Sequence, residues 1–539
     1  MLGLKAVGCA GREALADEQA TVAGKERILD AIGQQAAKLR EELGESLPSV
    51  EKFDTPLKQA TTFSLEALRA YTLGAKARHE AGDAEAIPFF KRAVELDPDF
   101  AVAYEQLGVC YFFQGKSALA VENLTKAFES RDRVSELERL HVTFAYDSYG
   151  AGDLPKAIES AKLEIATYPH LTGPHLGLGA IYAQLGQFEA AVTLARQEVA
   201  LSADTAIANN TLMEIYIAQD RFGEAHAVYD QTKARGLSNS ELDILLYVLA
   251  FVQHDVPAMD REAAALASKP GLGGEMLCLK ASTEAYYGRF LNGGEFTRRA
   301  VDSIAHTGMN ETAAECLARR ALEEALVGET AAAQRQASEA LSRASGIDAE
   351  TLAAFALAST GEITRAQALA ADLARRRPVD TLLNSVYLPT LRAVLAIRRG
   401  DAPRALDLLQ SARPFETGFR ALVPMYPAFV RGEAYLRAGQ GGKAAQEFQH
   451  VLDHRGLVGN CPVGALARLG LARAYALEAV ASGSAVAART GHGSSAGETS
   501  VNRGGLAGSR PEALAKARTA YQDFLTIWKD ADPDVPILK

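Results

Sequence analysis

The 539-residue sequence is poor in aromatic residues and contains no long apolar run, and each shortage excludes a class of protein. Aromatic residues make up 7% of the chain, with a single tryptophan, whereas hydrophobic residues make up 48%. This composition favours closely packed helices over the core of a β-sandwich. The longest apolar segment, Leu242 to Val252, is shorter than the roughly 20 residues that a membrane-spanning helix needs.

Cysteine is also scarce, which limits metal sites. The five cysteines are odd in number and stand in no metal-binding spacing. We expect them to be small buried apolar side chains, and we predict no metal or other cofactor. They are Cys9, Cys110, Cys278, Cys316 and Cys461.

Neither sign of charge is concentrated in one part of the chain. The sequence has 57 Lys and Arg against 67 Asp and Glu, a net charge of −10, without an acidic or basic tail. A nucleic-acid surface normally shows a concentrated basic field, so we predict no nucleic-acid partner. The N-terminal MLGLKAVGCAGRE lacks the apolar centre of a signal peptide. We therefore expect a soluble chain, cytoplasmic if it is complete.

What the sequence does contain is a helical pattern, clearest between Ala101 and Ala127. Leu107, Gly108 and Tyr111 share one face of a first helix, because residues three and four apart are neighbours in a helix. Gly115 marks a turn, and the inward stripe of a second helix is formed by Ala120, Leu124 and Ala127. This stretch resembles the tetratricopeptide repeat, whose Leu-Gly-x-x-Tyr … Ala-x-x-x-Phe-x-x-Ala pattern recurs every 34 residues. The resemblance implies stacked two-helix units with a concave binding groove.

One small residue recurs in the second helix of each predicted unit, and several neighbouring pairs are separated by the repeat length. The set is Ala86, Ala120, Ala157, Ala191, Ala225, Met259, Gly293, Ala333, Ala366, Ala405, Ala444 and Ala517. A glycine suited to a left-handed turn stands five residues before eight of them. These glycines are Gly115, Gly152, Gly186, Gly288, Gly328, Gly361, Gly400 and Gly439.

The spacings predict an all-α fold, a right-handed α-solenoid of about twelve helical hairpins of tetratricopeptide type, preceded by a short non-repeat segment. We divide the chain into a non-repeat segment and linker (1–60), a regular array (61–239), degenerate repeats (240–424) and C-terminal hairpins (425–539). Within the first segment, helical spacing predicts a helix from Glu26 to Leu43, and the residues before it suggest the end of a β-rich unit.

A Gly/Ser-rich insertion at 481–510 interrupts the last hairpin. Its composition cannot bury enough apolar surface to offset the entropy lost on ordering, so we predict a disordered loop there.

Two stretches resemble a narrower family. LREELGESLPSVEKFDTPLKQATTFSLEALRAYTLG (39–74) resembles the junction that leads into the repeats of membrane-tethered acidobacterial serine/threonine kinases. KARTAYQDFLTIWKDADPDVPILK (516–539) resembles the last hairpin of those proteins. The resemblance implies a parent protein with a kinase domain and a membrane span, in which case this chain is extracytoplasmic. No Gly-rich loop, His-Arg-Asp or Asp-Phe-Gly motif is present in this chain, so we assign no catalytic residue and predict no enzymatic activity.

Two short clusters suggest sites but have simpler explanations. His450 and His454 have a spacing that can hold zinc, but a third ligand is missing. Arg375, Arg376 and Arg377 end a predicted helix, where cations complement the helix dipole.

The remaining candidate site is the groove lined by first helices. Its predicted lining is Tyr71, Ala75, Glu105, Val109, Leu176, Ala180, Asn210 and Glu214. No Lys or Arg clamp for a terminal carboxylate occurs there. We therefore expect a bound peptide to make apolar and aromatic contacts, with Tyr71, Phe112 and Phe113 as candidates. Aromatic residues at helical spacing also pack inward, so Phe112 and Phe113 are equally compatible with a place in the core.

We thus expect a non-catalytic interaction or sensory scaffold that binds a peptide or protein partner. One alternative is the regulatory portion of a bacterial serine/threonine kinase whose catalytic domain is absent from this chain. A second is the repeat half of a transcriptional regulator, which would need a basic face that the sequence does not show.

Overall fold

The computed structural model describes residues 2–8, 13–24, 27–45, 62–80, 82–169, 171, 173–201, 206–237, 240–267, 269, 273–419, 421–490 and 510–539. The chain divides into two compact units, Met1–Pro169 and His170–Lys539, here called unit 1 and unit 2. No helix among the described residues is both long and apolar enough to cross a bilayer.

Unit 1 opens with a two-stranded antiparallel sheet that is followed by helical hairpins. Strands β1 (Leu2–Val7) and β2 (Ala14–Ala20) pair with Leu4 opposite Glu18, and helix α1 (Ile28–Glu42) packs against them. The hairpins are α2 (Leu65–Glu80) with α3 (Asp83–Leu96), α4 (Ala101–Phe113) with α5 (Ser117–Glu129), and α6 (Glu136–Ala145) with α7 (Leu154–Thr167). A π-helical turn, Tyr146–Ala151, prolongs α6.

Unit 2 continues the pattern, with nine hairpins among its described residues. Its helices are α8 (Gly173–Gln184), α9 (Phe188–Leu201), α10 (Ile207–Ala218), α11 (Phe222–Ala234), α12 (Ser240–Val252), α13 (Val256–Ala267), α14 (Gly273–Tyr286), α15 (Phe290–His306), α16 (Asn310–Leu326), α17 (Thr330–Arg343), α18 (Ile347–Thr360), α19 (Ile363–Arg376), α20 (Leu388–Arg398), α21 (Ala402–Leu408), α22 (Tyr426–Arg437), α23 (Gly441–Leu452), the short α24 (Arg455–Val458), α25 (Val463–Thr490) and α26 (Arg510–Ile527). The all-α hairpin fold is therefore confirmed.

The predicted small residues lie where the pattern placed them. All twelve are buried, each in the second helix of a successive hairpin. All eight predicted turn glycines are left-handed, with φ between 61° and 91°. A side chain with a Cβ rarely adopts this conformation, so glycine ends the first helix and lets the chain reverse.

The two helices of a hairpin approach so closely that one partner must lack a side chain. At Gly108 in α4, a Cβ would stand 2.7 Å from Leu124 Cγ and 3.1 Å from the Leu124 backbone nitrogen. Gly432 in α22 repeats the arrangement, since a Cβ there would stand 2.7 Å from the Phe448 ring. A glycine on the first helix thus faces a large residue on the second.

In each hairpin, two residues of the first helix stand fifteen and eleven positions before the small residue of the second helix, such as Tyr71 and Ala75 before Ala86. We call the side of each unit that carries these residues the first-helix face. In unit 2, two covering segments cross this face, the first formed by residues 416–419 and 421–425 and the second by residues 455–462. The Phe419 backbone N–H donates to the Ala183 carbonyl oxygen at 2.9 Å, and Gly456 N–H donates to Asp220 Oδ1 at 2.8 Å.

Gly418 and Gly456 make this close approach possible, because a Cβ would stand 2.0 Å from the Gln184 carbonyl oxygen and 1.8 Å from the Ile217 carbonyl oxygen, respectively. The sequence predicted an open curved face. The structure corrects that expectation for this part of unit 2, because the covering residues lie up to about 240 positions away in sequence and carry no local signal.

A buried charge cluster fixes the first covering segment. The Arg431 side chain is fully buried, and its Nη2 lies 2.8 Å from Glu416 Oε2 and 2.7 Å from Glu447 Oε2. His450 Nε2 lies 3.3 Å from Glu416 Oε1, and its hydrogen bond to Glu416 is the main reason that the pKa of His450 is raised. A buried guanidinium is costly unless it is paired, so the two ion pairs of Nη2 favour docking of the segment at this place, while Arg431 Nε and Nη1 have no hydrogen-bond partner among the described residues.

Two further expectations need correction. Cys278 and Cys316 form a disulfide between α14 and α16, since the fold brings their Cα atoms to 6.0 Å. Helix α25 extends to Thr490, ten residues into the predicted loop, because alanine is a strong helix former. The remainder of that insertion, 491–509, lies outside the described residues.

The close crossing generates a test of the hairpin packing. We expect Gly108→Ala to lower the free energy of unfolding by about 1–3 kcal/mol, because the added methyl group overlaps Leu124. Gly33→Ala is the matched control, since a Cβ at Gly33 in α1 meets nothing within 4 Å and alanine favours the helix. Urea unfolding of the variants measures both effects. Equal or increased stability of Gly108→Ala would contradict the packing described.

Candidate functional site

The first-helix face of unit 1 carries a continuous set of polar and aromatic side chains. Tyr71 in α2 and Glu105 in α4 occupy equivalent positions, fifteen residues before Ala86 and Ala120. The π-helical turn adds a residue to the next first helix, and this brings His141 of α6 to the place next to Glu105. Insertions of this kind are frequent at functional sites.

Tyr71 is anchored in the packing of its hairpin. Its ring centroid lies 5.6 Å from that of Phe90 and 5.3 Å from that of Phe100. Burial, with a smaller contribution from Glu105, raises the pKa of its hydroxyl. Tyr71 therefore lines the first-helix face and also packs against the aromatic side chains of its own hairpin and of the residue that precedes α4.

A hydrogen-bonded row connects α2 with α4. Arg78 Nε donates to Asp83 Oδ1 at 2.7 Å, and Arg78 Nη1 donates to Gln106 Oε1 at 2.8 Å. Gln106 in turn donates to Glu105 Oε2 at 2.8 Å. The guanidinium of Arg78 is thus held within the unit.

The row continues to an acidic cluster around His141. His141 Nδ1 lies 2.5 Å from Glu164 Oε1, and the Glu164 side chain is 1% exposed. Burial raises the pKa of Glu105, against the opposing effect of His141. Desolvation disfavours the protonated imidazole of His141, but its hydrogen bond to Glu164 and the charges of Glu105, Glu164 and Glu138 outweigh it and raise the pKa to about 9.

The same face carries an aromatic cluster, defined by the exposed Phe112 and Phe113 and the half-buried Phe144 and Tyr149. The Tyr149 ring centroid lies 4.7 Å from that of Phe112, 5.8 Å from that of Phe113 and 6.3 Å from that of Phe144. Phe112 is 41% and Phe113 is 49% exposed, so neither belongs to the core. Large exposed aromatic groups that contact one another are typical of interaction surfaces.

The other predicted lining residues differ in accessibility. Ala75 is exposed and Val109 is buried on the face of unit 1. Leu176 and Ala180 are half-buried in unit 2. In the same unit Asn210 and Glu214 are buried, and Asn210 Nδ2 donates to Glu241 Oε2 at 2.6 Å.

The two short clusters singled out in the sequence have structural partners. His454 Nδ1 lies 2.8 Å from the His450 carbonyl oxygen, and His450 pairs with Glu416. Arg375 and Arg376 bond Asp372, and Arg377 pairs with Asp380. Across the described ranges, no group of three or more His, Cys, Asp or Glu side chains has a metal-binding arrangement.

Sequence reasoning missed four contributors to the site of unit 1, namely His141, Phe144, Tyr149 and Glu164. One signal was available, because Ala120 and Ala157 are 37 residues apart where 34 is the period. The extra residues shift the register of α6 and bring Tyr149 beside Phe112.

The repeated hairpins and their packing define a helical-repeat protein. Residues 89–122 match the family model described as tetratricopeptide repeat, and the hairpins before and after them continue the same helical arrangement. No curated protein matches the chain.

Several solved structures are similar to it. A thermophilic tetratricopeptide-repeat protein of Thermus thermophilus is 24% identical over 37% of this chain and 98% of its own, with a TM-score of 0.27. PilF of Pseudomonas aeruginosa is 20% identical over 38% of this chain and 93% of its own, with a TM-score of 0.27. The MamA protein is 18% identical over 32% of this chain and 94% of its own, with a TM-score of 0.22. At these values, partner and activity must be argued from the residues of this chain.

The pKa of His141 generates a pH-dependent test. The pKa of His141 is raised from 6.5 to about 9 on folding. The stabilisation of the folded state by the protonated imidazole is therefore complete below pH 6.5 and is lost as the pH rises through 9. We expect His141→Gln to be less stable than the parent chain at pH 6 and equally stable at pH 10, as measured by urea unfolding. The control is His79→Gln, an exposed imidazole of α2. A stability difference that does not change between these pH values would contradict the assignment.

Proposed function

We propose that this chain is a non-catalytic interaction scaffold that binds a peptide segment of a partner protein on the first-helix face of unit 1. The observation that carries the proposal is the exposed aromatic cluster around Tyr149. Aromatic side chains dominate the binding energy of many interfaces, since they bury a large area with few rotatable bonds.

The charge of this face determines the chemistry of the peptide. The carboxylates of Glu105, Glu138 and Glu164 lie around His141, and Arg78 is already paired with Asp83. A partner that brings a cation is attracted to such a surface, whereas a partner with a further carboxylate is repelled. The proposed ligand is a peptide with an apolar or aromatic anchor followed by a basic residue.

A terminal carboxylate is not part of this recognition. Arg78 donates to Asp83 and Gln106, and would have to leave both to bind a peptide C-terminus. Recognition through the anchor side chain therefore requires no free chain end.

The narrower resemblance supports a second proposal, that the repeats are the regulatory portion of a bacterial serine/threonine kinase. It rests on the stretches 39–74 and 516–539 alone. Sequencing the reading frame upstream of this chain in its source genome tests it. A kinase domain followed by a membrane span is expected there, and their absence would refute the proposal.

Binding of synthetic peptides tests the first proposal. Twelve-residue peptides with a central Phe or Leu, flanked by Lys, Ser or Glu, are measured by fluorescence anisotropy. We expect the Lys-flanked peptides to bind most tightly, and amidation of the C-terminus to change the affinity less than about twofold. Phe112→Ser with Phe113→Ser should weaken binding by about tenfold or more, since both rings are exposed contact groups.

Phe89→Ser is the matched control. Phe89 is 38% exposed on α3, the second helix of its hairpin, and so lies off the proposed surface. An equal loss of affinity in this control would contradict the assigned surface. A strong dependence on the free carboxylate, or a preference for Glu-flanked peptides, would contradict the proposed chemistry.

A further inference from the structure

Unit 2 contains a partly open cavity of about 410 Å³ on its first-helix face. First helices α10, α12, α14, α16 and α18 form one side, and residues of the two covering segments form the other. The cavity therefore lies where an open repeat array would present its groove. It is separate from the peptide surface proposed above, which belongs to unit 1.

The volume and lining of this cavity are those of a binding site. Protein interiors are close-packed, and voids much larger than a water molecule are rare. Small-molecule sites typically measure about 300–1,000 Å³ and have mainly apolar walls with a few polar groups. The walls here include Ile244, Val248, Leu279, Leu322, Phe419 and Leu457. An apolar space of this kind is a poor site for water and a good one for a hydrocarbon group.

Three of the polar side chains that border the cavity already donate to acceptors within the protein. Ser282 Oγ donates to Glu323 Oε1 at 2.7 Å. Asn460 Nδ2 lies 2.9 Å from both the Leu279 carbonyl oxygen and Thr283 Oγ1. Arg319 donates to the Leu422 carbonyl oxygen at 3.0 Å and to Glu315 Oε1 at 2.7 Å.

The acceptors are less completely used. Glu275 borders the cavity from the first turn of α14 and makes no hydrogen bond or ion pair with any described residue. Burial raises the pKa of its carboxyl, and Glu241 and Glu315 add to the shift by repulsion. A ligand that supplies a donor and a positive charge would relieve both effects.

We propose that the cavity of unit 2 binds a small amphipathic amine, with its apolar body against the walls formed by Leu279, Leu322 and Phe419 and its ammonium group at Glu275. The apolar walls select the body, and the Glu275 carboxylate selects the head group. No peptide backbone is required, because backbone groups of the covering segments already bond Ala183 and Asp220 on this side of the unit.

A matched pair of probes tests the proposal. 4-Phenylbutylamine and 4-phenylbutanol have the same apolar body and differ in the head group. Binding of each to the full chain is measured by isothermal titration calorimetry. We expect the amine to bind about tenfold or more tightly than the alcohol, as a charge-assisted hydrogen bond requires. Equal affinities, or no binding of either probe, would overturn the proposal.

Four variants locate the site. Glu275→Gln should remove the preference for the amine and leave the affinity for the alcohol unchanged, whereas Glu275→Asp should retain the preference. Ala421→Leu places extra side-chain volume in the cavity and should weaken the binding of both probes. Glu339→Gln, at an exposed carboxylate of α17, is the control for loss of charge and should bind as the parent chain does.

Far-UV circular dichroism and urea unfolding of each variant separate loss of the site from loss of the fold. If a well-folded Glu275→Gln chain keeps the full preference for the amine, the assigned head-group site is wrong. If Ala421→Leu binds both probes as the parent does, the assigned cavity is wrong.

Discussion

The close crossing between the two helices of a hairpin is the constraint on which the rest of the structure depends. At Gly108 the first helix approaches the second so closely that Leu124 fills the space of a side chain. A small residue, Ala120, is also buried on the second helix of this hairpin. Crossings of this kind join neighbouring helices, and in unit 2 the buried residues of successive hairpins merge into one continuous core that runs from Ala183 to Val535.

In this packing, one side of every first helix contacts the second helix of its hairpin. The other side is left for further contacts. The two units use that side differently. Unit 1 leaves Phe112 and Phe113 exposed to solvent, whereas unit 2 covers part of its face with residues 416–419, 421–425 and 455–462. Gly418 and Gly456 permit this, since both approach helix carbonyl oxygens more closely than any Cβ allows. A single repeat architecture thus yields both an exposed surface and a partly covered cavity.

The sequence predicted what is local and missed what is distant. The twelve small residues and eight of the turn glycines followed from spacing, because each acts within one hairpin. The position of His141 did not, since a π-helical turn shifts its register relative to Tyr71 and Glu105. The pairing of Gly456 with Asp220 was equally inaccessible, because contacts across hundreds of residues depend on the summed rotation of many hairpins. The Cys278–Cys316 disulfide is a consequence of the same stacking.

Buried charge distinguishes the two faces from ordinary packing. A helical interface that buries a carboxylate such as Glu105 or Glu164 is less stable than one that buries an apolar group of the same size. The neighbouring cation has to compensate, and His141 does so only while it is protonated. Arg431 performs the same task for Glu416 and Glu447 without titrating in the physiological range. The permanent charge of Arg431 therefore pairs with Glu416 in the covering segment of unit 2. On the exposed face of unit 1, by contrast, the cation is His141, whose charge changes with pH.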